Sequence, residues 1–329
     1  MIEYNYFMVP ASNNLLFNTY MGVKYLYSDY DPGLGYEYLD NNIYVNNKVF
    51  PLFYATDNII SKKEYDNHSY PYNLEVLLNN VVVENFSSNA NINNNINKVD
   101  LKYELIDSDG VVIKENEDGF ILEVKDTGFI KLKLDEIINN KILFITIDGL
   151  KENSCGYDNI SMKINNVTNI LTCKSWIYPN KNNTFRYVIS DNNIEELNIE
   201  LSKGTYNINN INTYILDYNK IKDIKNDFDL FNITKLNDNI IKGNINIRNN
   251  SYFVTSIPYD KGFTVKVDDK VIEYEMVNNA FVGFPISNGQ HNIEIIYNAP
   301  WYNIGKIISI IGFGLFGIIL LFEYKRKSS

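Results

Sequence analysis

The densest group of chemistry-bearing side chains is Tyr259-Asp260-Lys261, set between Pro258 and Gly262. A phenol can stack on a sugar face, a carboxylate can accept hydroxyl protons, and a lysine offers a point charge to phosphate. That combination suits contact with a glycan or a phosphate-bearing polymer. The same five residues also describe a tight strand-to-strand turn, with Asp260 bonding its own backbone. Adjacent carboxylates occur at Asp268-Asp269, Glu117-Asp118 and Glu195-Glu196. Glycosidase chemistry needs two carboxyls flanking one bond, a separation that adjacency along the chain does not establish. Solvated surface explains each pair equally. Acidic turns at Asp107 to Asp109 and Asp158-Asn159 could hold Ca²⁺, but neither has EF-hand spacing.

Scarcity excludes other chemistry. His68 and His291 are the only histidines, so a multi-histidine metal centre is impossible. Cys155 and Cys173 form no CxxC pair. They make either one disulfide in an exported region or two separate buried thiols. Phosphate-loop, serine-hydrolase and zincin motifs are absent from the sequence, and the GxGxxG spelling at Gly312 to Gly317 lies inside an apolar run rather than between a strand and a helix. No catalytic residue, cofactor site or metal ligand is assigned. With 26 tyrosines, a tyrosine at any one position carries little information.

The elements that must position these residues follow from patterning. The chain has 329 residues, 45% hydrophobic, with a net charge of −10. That is ample for a core, and the acidic balance argues against nucleic acid as a partner. Residues 307–322 carry no charge, and with residues 301–306 they make a segment about 33 Å long as a helix, enough to span a bilayer core. Trp301 and Tyr302 form an aromatic belt at one end and Lys306 can snorkel outward. At the other end Lys325, Arg326 and Lys327 predict a cytoplasmic terminus, leaving the preceding body outside the membrane. Residues 1–20 lack a basic and apolar leader pattern. The expectation is therefore that this chain is the end of a longer membrane protein, the alternative being a tail-anchored protein with its body in the cytosol.

Before that helix the chain reads as three segments. Residues 1–98 are mixed α/β, with strands at 22–28, 43–45 and 49–56 and a helix opened by Pro71, where Leu74, Leu77, Leu78 and Val81 share a face. Asn-rich residues 89–97 mark the first boundary. Residues 99–216 predict an antiparallel sandwich, with alternation at Ile130, Leu132, Leu134 and at Leu197, Ile199, Leu201, and turns at Asp109-Gly110, Asp118-Gly119 and Asp148-Gly149. Residues 217–300 predict a helix over 219–231 and a small all-β unit whose last two strands form a hairpin at Asn288-Gly289. The membrane helix at 301–323 and a basic tail at 324–329 follow. The fold class is mainly β: tandem antiparallel sandwich or jelly-roll-like exterior units, a few short helices, and a C-terminal transmembrane helix.

The run from Ser256 to Tyr297, SIPYDKGFTVKVDDKVIEYEMVNNAFVGFPISNGQHNIEIIY, resembles the C-terminal signature of the bacterial YfhO family. There the order is IPY-(D)-KGW, VDG, a variable strand, NAF-GF-L, G-H-I-Y and a last membrane helix. Phe263 stands where Trp is usual and Asp269 where Gly is usual. Gly22 to Tyr25 and Pro71 to Leu78 also resemble family landmarks. The resemblance implies a relation to GT-C-like membrane glycosyltransferases that decorate cell-wall polymers from lipid-linked sugars. It carries no catalytic residue to this chain, because those residues lie in a multi-helix portion. The implied role is an exterior accessory part acting with that portion, on a cell-wall polymer or lipid-linked sugar. The alternative is a non-enzymatic anchored sandwich that binds surface glycan, or a remnant. The bilayer is the partner common to both.

Overall fold

Runs of β-branched and aromatic residues, punctuated by Asn, Asp and Gly, dictate short antiparallel strands. The computed structural model describes residues 14–84, 86, 90, 92–116, 119–151, 159–174, 176, 179–221 and 228–327. The chain opens with α1 (Leu15–Tyr20), β1 (Tyr25–Tyr27), β2 (Tyr36–Asp40), β3 (Ile43–Asn46), β4 (Phe53–Thr56) and β5 (Ile59–Ser61). Two further helices, α2 (Lys62–Tyr65) and α3 (Tyr72–Asn79), precede β6 (Val81–Val83). Then come β7 (Asn97–Val99), β8 (Tyr103–Asn116), β9 (Gly119–Asn139), β10 (Lys141–Asp148) and β11 (Ile160–Ile164). They continue as β12 (Val167–Leu171), β13 (Thr184–Ile189), β14 (Asn193–Ile208) and β15 (Asn210–Asp217). The remainder is β16 (Asp229–Leu230), β17 (Asn232–Asn237), β18 (Ile240–Ile247), β19 (Ser251–Pro258), β20 (Phe263–Val267) and β21 (Lys270–Ile272). It ends with β22 (Glu275–Val277), β23 (Phe281–Ile286), β24 (Gly289–Tyr297) and the helix α4 (Tyr302–Lys327). The fold is mainly β with antiparallel sheets and a C-terminal apolar helix, as the patterning predicts.

The contacts divide the chain into two units, residues 1–52 with 58–228, and residues 53–57 with 229–329. In the first unit the sheet β13-β10-β15-β7 faces the sheet β12-β11-β14-β9-β8. Leu122, Ile130, Leu143, Ile145, Ile164 and Leu201 meet between them. The unalternating run in β10 has a simple cause. Its odd residues enter this core, while Ile142 and Phe144 point to the other face, where Leu15, Leu16, Leu34 and Ile96 cover them. A strand buried on both sides needs no polar alternation.

Buried tyrosines are handled by the backbone. Tyr187 donates its hydroxyl to the Met162 carbonyl at 3.0 Å, and Tyr206 donates to the Ser161 carbonyl at 2.7 Å. Burial pushes the Tyr206 phenol up to about 12. These rings are core pieces with satisfied tips. The turn at Asp31-Pro32-Gly33 docks on Ser190, whose carbonyl accepts from Leu34 N–H at 2.6 Å. A Cβ on Gly33, which has φ +88, would lie 2.2 Å from that carbonyl oxygen, so only glycine fits.

Several local expectations change in the fold. In α3, Leu74 and Leu78 pack on the cluster around Phe144, whereas Val76 and Leu77 pack with Ile60 and Val82. Val81 belongs to β6, not to the helix. Within the Asn-rich stretch, Asn95 and Ile96 donate backbone N–H groups to the buried Glu75 carboxylate. Asp109-Gly110 is not a turn but a bulge inside β8, with Gly110 at φ +68. A turn and a bulge both call for a left-handed residue, so the dipeptide does not distinguish them. Of the helix expected over 219–231, residues 222–227 lie outside the described residues. Before them Tyr218–Lys220 makes a single 3₁₀ turn and extended Ile221 ends it; after them lies β16.

The second unit is a sandwich of β16-β4-β19-β23-β22 and β17-β18-β24-β20-β21. Its core gathers Phe53, Ala55, Ile245, Ile247, Phe253, Val265, Phe284, Ile286, Ile293 and Ile295. Phe253 stacks on Phe284 at 4.9 Å and meets Phe231 edge-on at 5.3 Å. The Asn288-Gly289 hairpin is corrected here. β23 pairs with β19 and β24 pairs with β18, so the dipeptide carries the chain from one sheet to the other. β21 and β22, consecutive in the chain, likewise lie in opposite sheets.

Candidate functional site

The Tyr259–Gly262 loop joins β19 to β20, so both its ends are held by the second sandwich. Asp260 Oδ1 accepts from Gly262 N–H at 2.7 Å, the self-bond that the turn reading predicts. Tyr259 N–H donates to the Ala280 carbonyl at 2.8 Å. The Tyr259 ring lies 5.7 Å from that of Tyr274, whose hydroxyl donates to the Asp260 carbonyl at 3.0 Å. Burial, then the neighbouring Tyr259, pushes the Tyr274 phenol above its ordinary value. Lys261 is exposed. The three predicted contact residues therefore share one loop, with one Asp260 oxygen bonded to the backbone and Tyr259 and Lys261 the more exposed of the three.

Tyr274 and Tyr297 complete the cluster and were not singled out in the sequence. Phe263 packs 4.8 Å from Tyr297 and 6.4 Å, edge-on, from Tyr274. The available signal was an aromatic residue at the end of β24 and another in the β21–β22 link, hidden among many tyrosines. The loop is also tied to the chain that enters α4: Asn298 N–H donates to the Gly262 carbonyl at 2.9 Å. A Cβ on Gly262 would lie 2.5 Å from the Asn298 oxygen, so glycine permits this approach.

The other carboxylates are differently employed. Glu196 pairs with Lys131 at 2.6 Å. Asp107 and Asp109 lie along β8 rather than in a turn. Glu117-Asp118, Asp158 and Cys155 lie outside the described residues, and Cys173 is buried. Among the described residues no three His, Cys, Asp or Glu side chains gather as metal ligands.

Asp268 and Asp269 form the turn between β20 and β21, with φ values of 49° and 65°. Asn292 N–H donates to Asp268 Oδ1 at 2.9 Å, and His291 Nδ1–H donates to Oδ2 at 2.7 Å. The backbone bond first, then His291, holds the Asp268 carboxyl below its usual range. A lowered folded value means the carboxylate stabilises the fold above the unfolded pKa of about 3.9, and the contribution is lost as pH falls through the folded value. Urea titrations of wild type and Asp268→Asn should therefore differ at neutral pH and converge once the pH has fallen through the lowered folded value. A gap that persists in acid would contradict this assignment.

Helix α4 is apolar over Tyr302–Tyr324, with mean hydropathy 2.3 and no part of that stretch buried within the chain. It is long enough to cross a membrane. Trp301 precedes it and is 78% exposed, and Lys306 Nζ sits 4.2 Å from the Tyr302 ring centroid. Lys325 lies in the last turns of the helix, and Arg326 and Lys327 are exposed.

The family model described as bacterial membrane protein YfhO matches residues 2–309. The chain belongs to the YfhO family. Within the matched residues Phe263 is a packed ring and Asp269 adopts a left-handed backbone. The uncharacterized YfhO protein of Bacillus subtilis (strain 168) is 28% identical over 166 residues, which is 48% of this chain and 19% of that relative. The match therefore spans about a fifth of the relative's length. Among solved structures, latent PorU of Porphyromonas gingivalis aligns over 60% of this chain and 20% of its own, with TM-score 0.20 and 10% identity. A conserved protein of unknown function from Pseudomonas aeruginosa PAO1 aligns over 60% and 93%, with TM-score 0.17 and 6% identity. Neither likeness is close enough to bear on this YfhO-family chain.

Proposed function

We propose that this chain is the exterior C-terminal part of a YfhO-type membrane machine, accessory to transfer of sugar from a lipid-linked donor onto a cell-wall polymer. The observation that carries the reading is the family match over residues 2–309, joined to a single apolar helix among the described residues. In this role the sandwiches guide acceptor polymer, a polytopic portion supplies the chemistry, and α4 anchors the assembly. The basic cluster at Lys325 to Lys327 supports a cytoplasmic end for α4, with the sandwiches on the opposite side.

Deleting the region that encodes both sandwiches should abolish sugar decoration of the wall polymer, and the intact chain should restore it. Decoration that survives the deletion overturns the accessory role. Orientation is read separately with a membrane-impermeant amine reagent on intact cells. Lysines of the sandwiches should label and those after residue 324 should not; the reverse pattern overturns the topology.

A further inference from the structure

We propose that the Tyr259–Gly262 loop is a membrane-contacting element, with Lys261 binding phospholipid phosphates and Tyr259 lying at the headgroup layer. The argument is one of tethering. Tyr302, the first residue of α4, stands at the edge of the membrane segment. Tyr302 N–H donates to the Ala299 carbonyl at 3.1 Å, closing a turn. A turn holds its first and fourth Cα atoms within about 7 Å, and one more residue adds about 3.8 Å. Asn298 is therefore no more than about 11 Å from Tyr302. Asn298 is in turn bonded to the Gly262 carbonyl. The loop is thus tethered within about 16 Å of the edge of the membrane segment, beside a polar layer that extends about 5–8 Å beyond the hydrocarbon on each side.

The side chains match that place. One Asp260 carboxylate oxygen accepts from the Gly262 N–H and the residue is half-buried, whereas Lys261 beside it is exposed. An ammonium on a flexible stem suits the phosphates of a fluid headgroup layer better than fixed bidentate recognition. Tyr259 offers an amphipathic ring of the kind that favours interfaces. Tyr274 and Phe263 brace the loop from behind, so its orientation is set by packing. The covalent tether favours lipid phosphate over polymer phosphate as the partner of Lys261. The inference needs α4 to cross a bilayer but does not depend on sugar transfer.

The test uses the full chain in bilayer nanodiscs of phosphatidylcholine and phosphatidylglycerol. The photoreactive residue p-benzoylphenylalanine replaces Lys261 in one variant and Tyr259 in another. A third carries it at Asp269, at the far end of β20 about 17 Å away along the strand. Illumination should yield lipid adducts at 259, where Lys261 is intact, at least about fivefold above 269, the ratio expected for one lysine's attraction to an anionic surface, and adducts at 261 that also exceed those at 269. Equal adducts at all three positions, or none at 259 and 261 in folded protein, overturn the proposal. Adding isolated wall polymer distinguishes the other phosphate source: loss of lipid adducts in favour of polymer adducts would also overturn it. Because the readout is depth in a bilayer, it can fail while sugar decoration still depends on the sandwiches, and the reverse.

Discussion

Phe253→Ala should destabilise the second sandwich by about 3–5 kcal/mol, the cost of emptying a fully buried aromatic site. Phe253 lies at the centre of a small core, stacked on Phe284 and edge-on to Phe231. It also sits on β19, which pairs with β4 on one side and β23 on the other. A cavity there loses contacts from both sheets. Domains of this kind carry about 5–15 kcal/mol of net stability, so the loss is a large fraction of the whole. Hydrogen exchange on the full chain provides the measurement, because it resolves the two units separately. Protection in β18, β19 and β24 should fall by about two to three and a half orders of magnitude, at about 1.4 kcal/mol per tenfold. Peptides of β9, β10 and β14 should keep theirs. Phe253→Leu, which retains most of the volume, should cost far less. Unchanged protection in the alanine variant would mean that the aromatic stack is not what holds the sheets together.

The consequence reaches the juxtamembrane loop. Tyr259 to Gly262 hang from the end of β19 and the start of β20, and the bond from Asn298 closes the arrangement. Loosening the core should free this loop, so the interfacial contact of Lys261 is a reporter of sandwich integrity. Stability and membrane apposition are coupled through the ends of two strands.

How much of this was legible depends on whether the controlling interaction is local. The alternation at Ile130, Leu132 and Leu134 announced a strand because one face of β9 packs inward, and Ile130 and Leu134 do enter the core. The bilayer-length helix was legible because its length and lack of charge are properties of one segment. Asn288-Gly289 announced a turn, and a change of direction is there. Which sheet the next strand joins is decided by β18, some forty residues earlier in the chain, and no local pattern encodes that. Asp109-Gly110 failed because the same dipeptide serves a bulge. The turn character of Tyr259-Asp260-Lys261 was readable from Pro258, Asp260 and Gly262. The brace from Tyr274 and the tie from Asn298 were not, since both come from segments distant in the chain, the β21–β22 link and the stretch after β24.

Replacing both Phe313 and Phe316 with lysine should release the chain from the membrane. Each lysine near the centre of a transmembrane helix costs about 2.5–3.5 kcal/mol in insertion, so the pair costs roughly 5–7 kcal/mol. Phe313 and Phe316 are three residues apart and both are exposed on the helix surface, 77% and 59%. They fall near the middle of Tyr302–Tyr324, too far from either end for easy snorkelling. Among the described residues neither has a partner to compensate, as no part of this segment is buried there. Extraction of membranes with alkaline carbonate reads the result: wild type should stay in the pellet and the double variant should move to the supernatant. Phe313→Leu with Phe316→Leu should behave as wild type, since leucine is as much at home in hydrocarbon. If the lysine variant stays in the membrane fraction, the helix is held by something other than lipid on that face, and a polar or protein-lined environment must receive the two charges. That outcome would move α4 from a lipid-facing anchor into the interior of a helix assembly, the one place where such charges are tolerated.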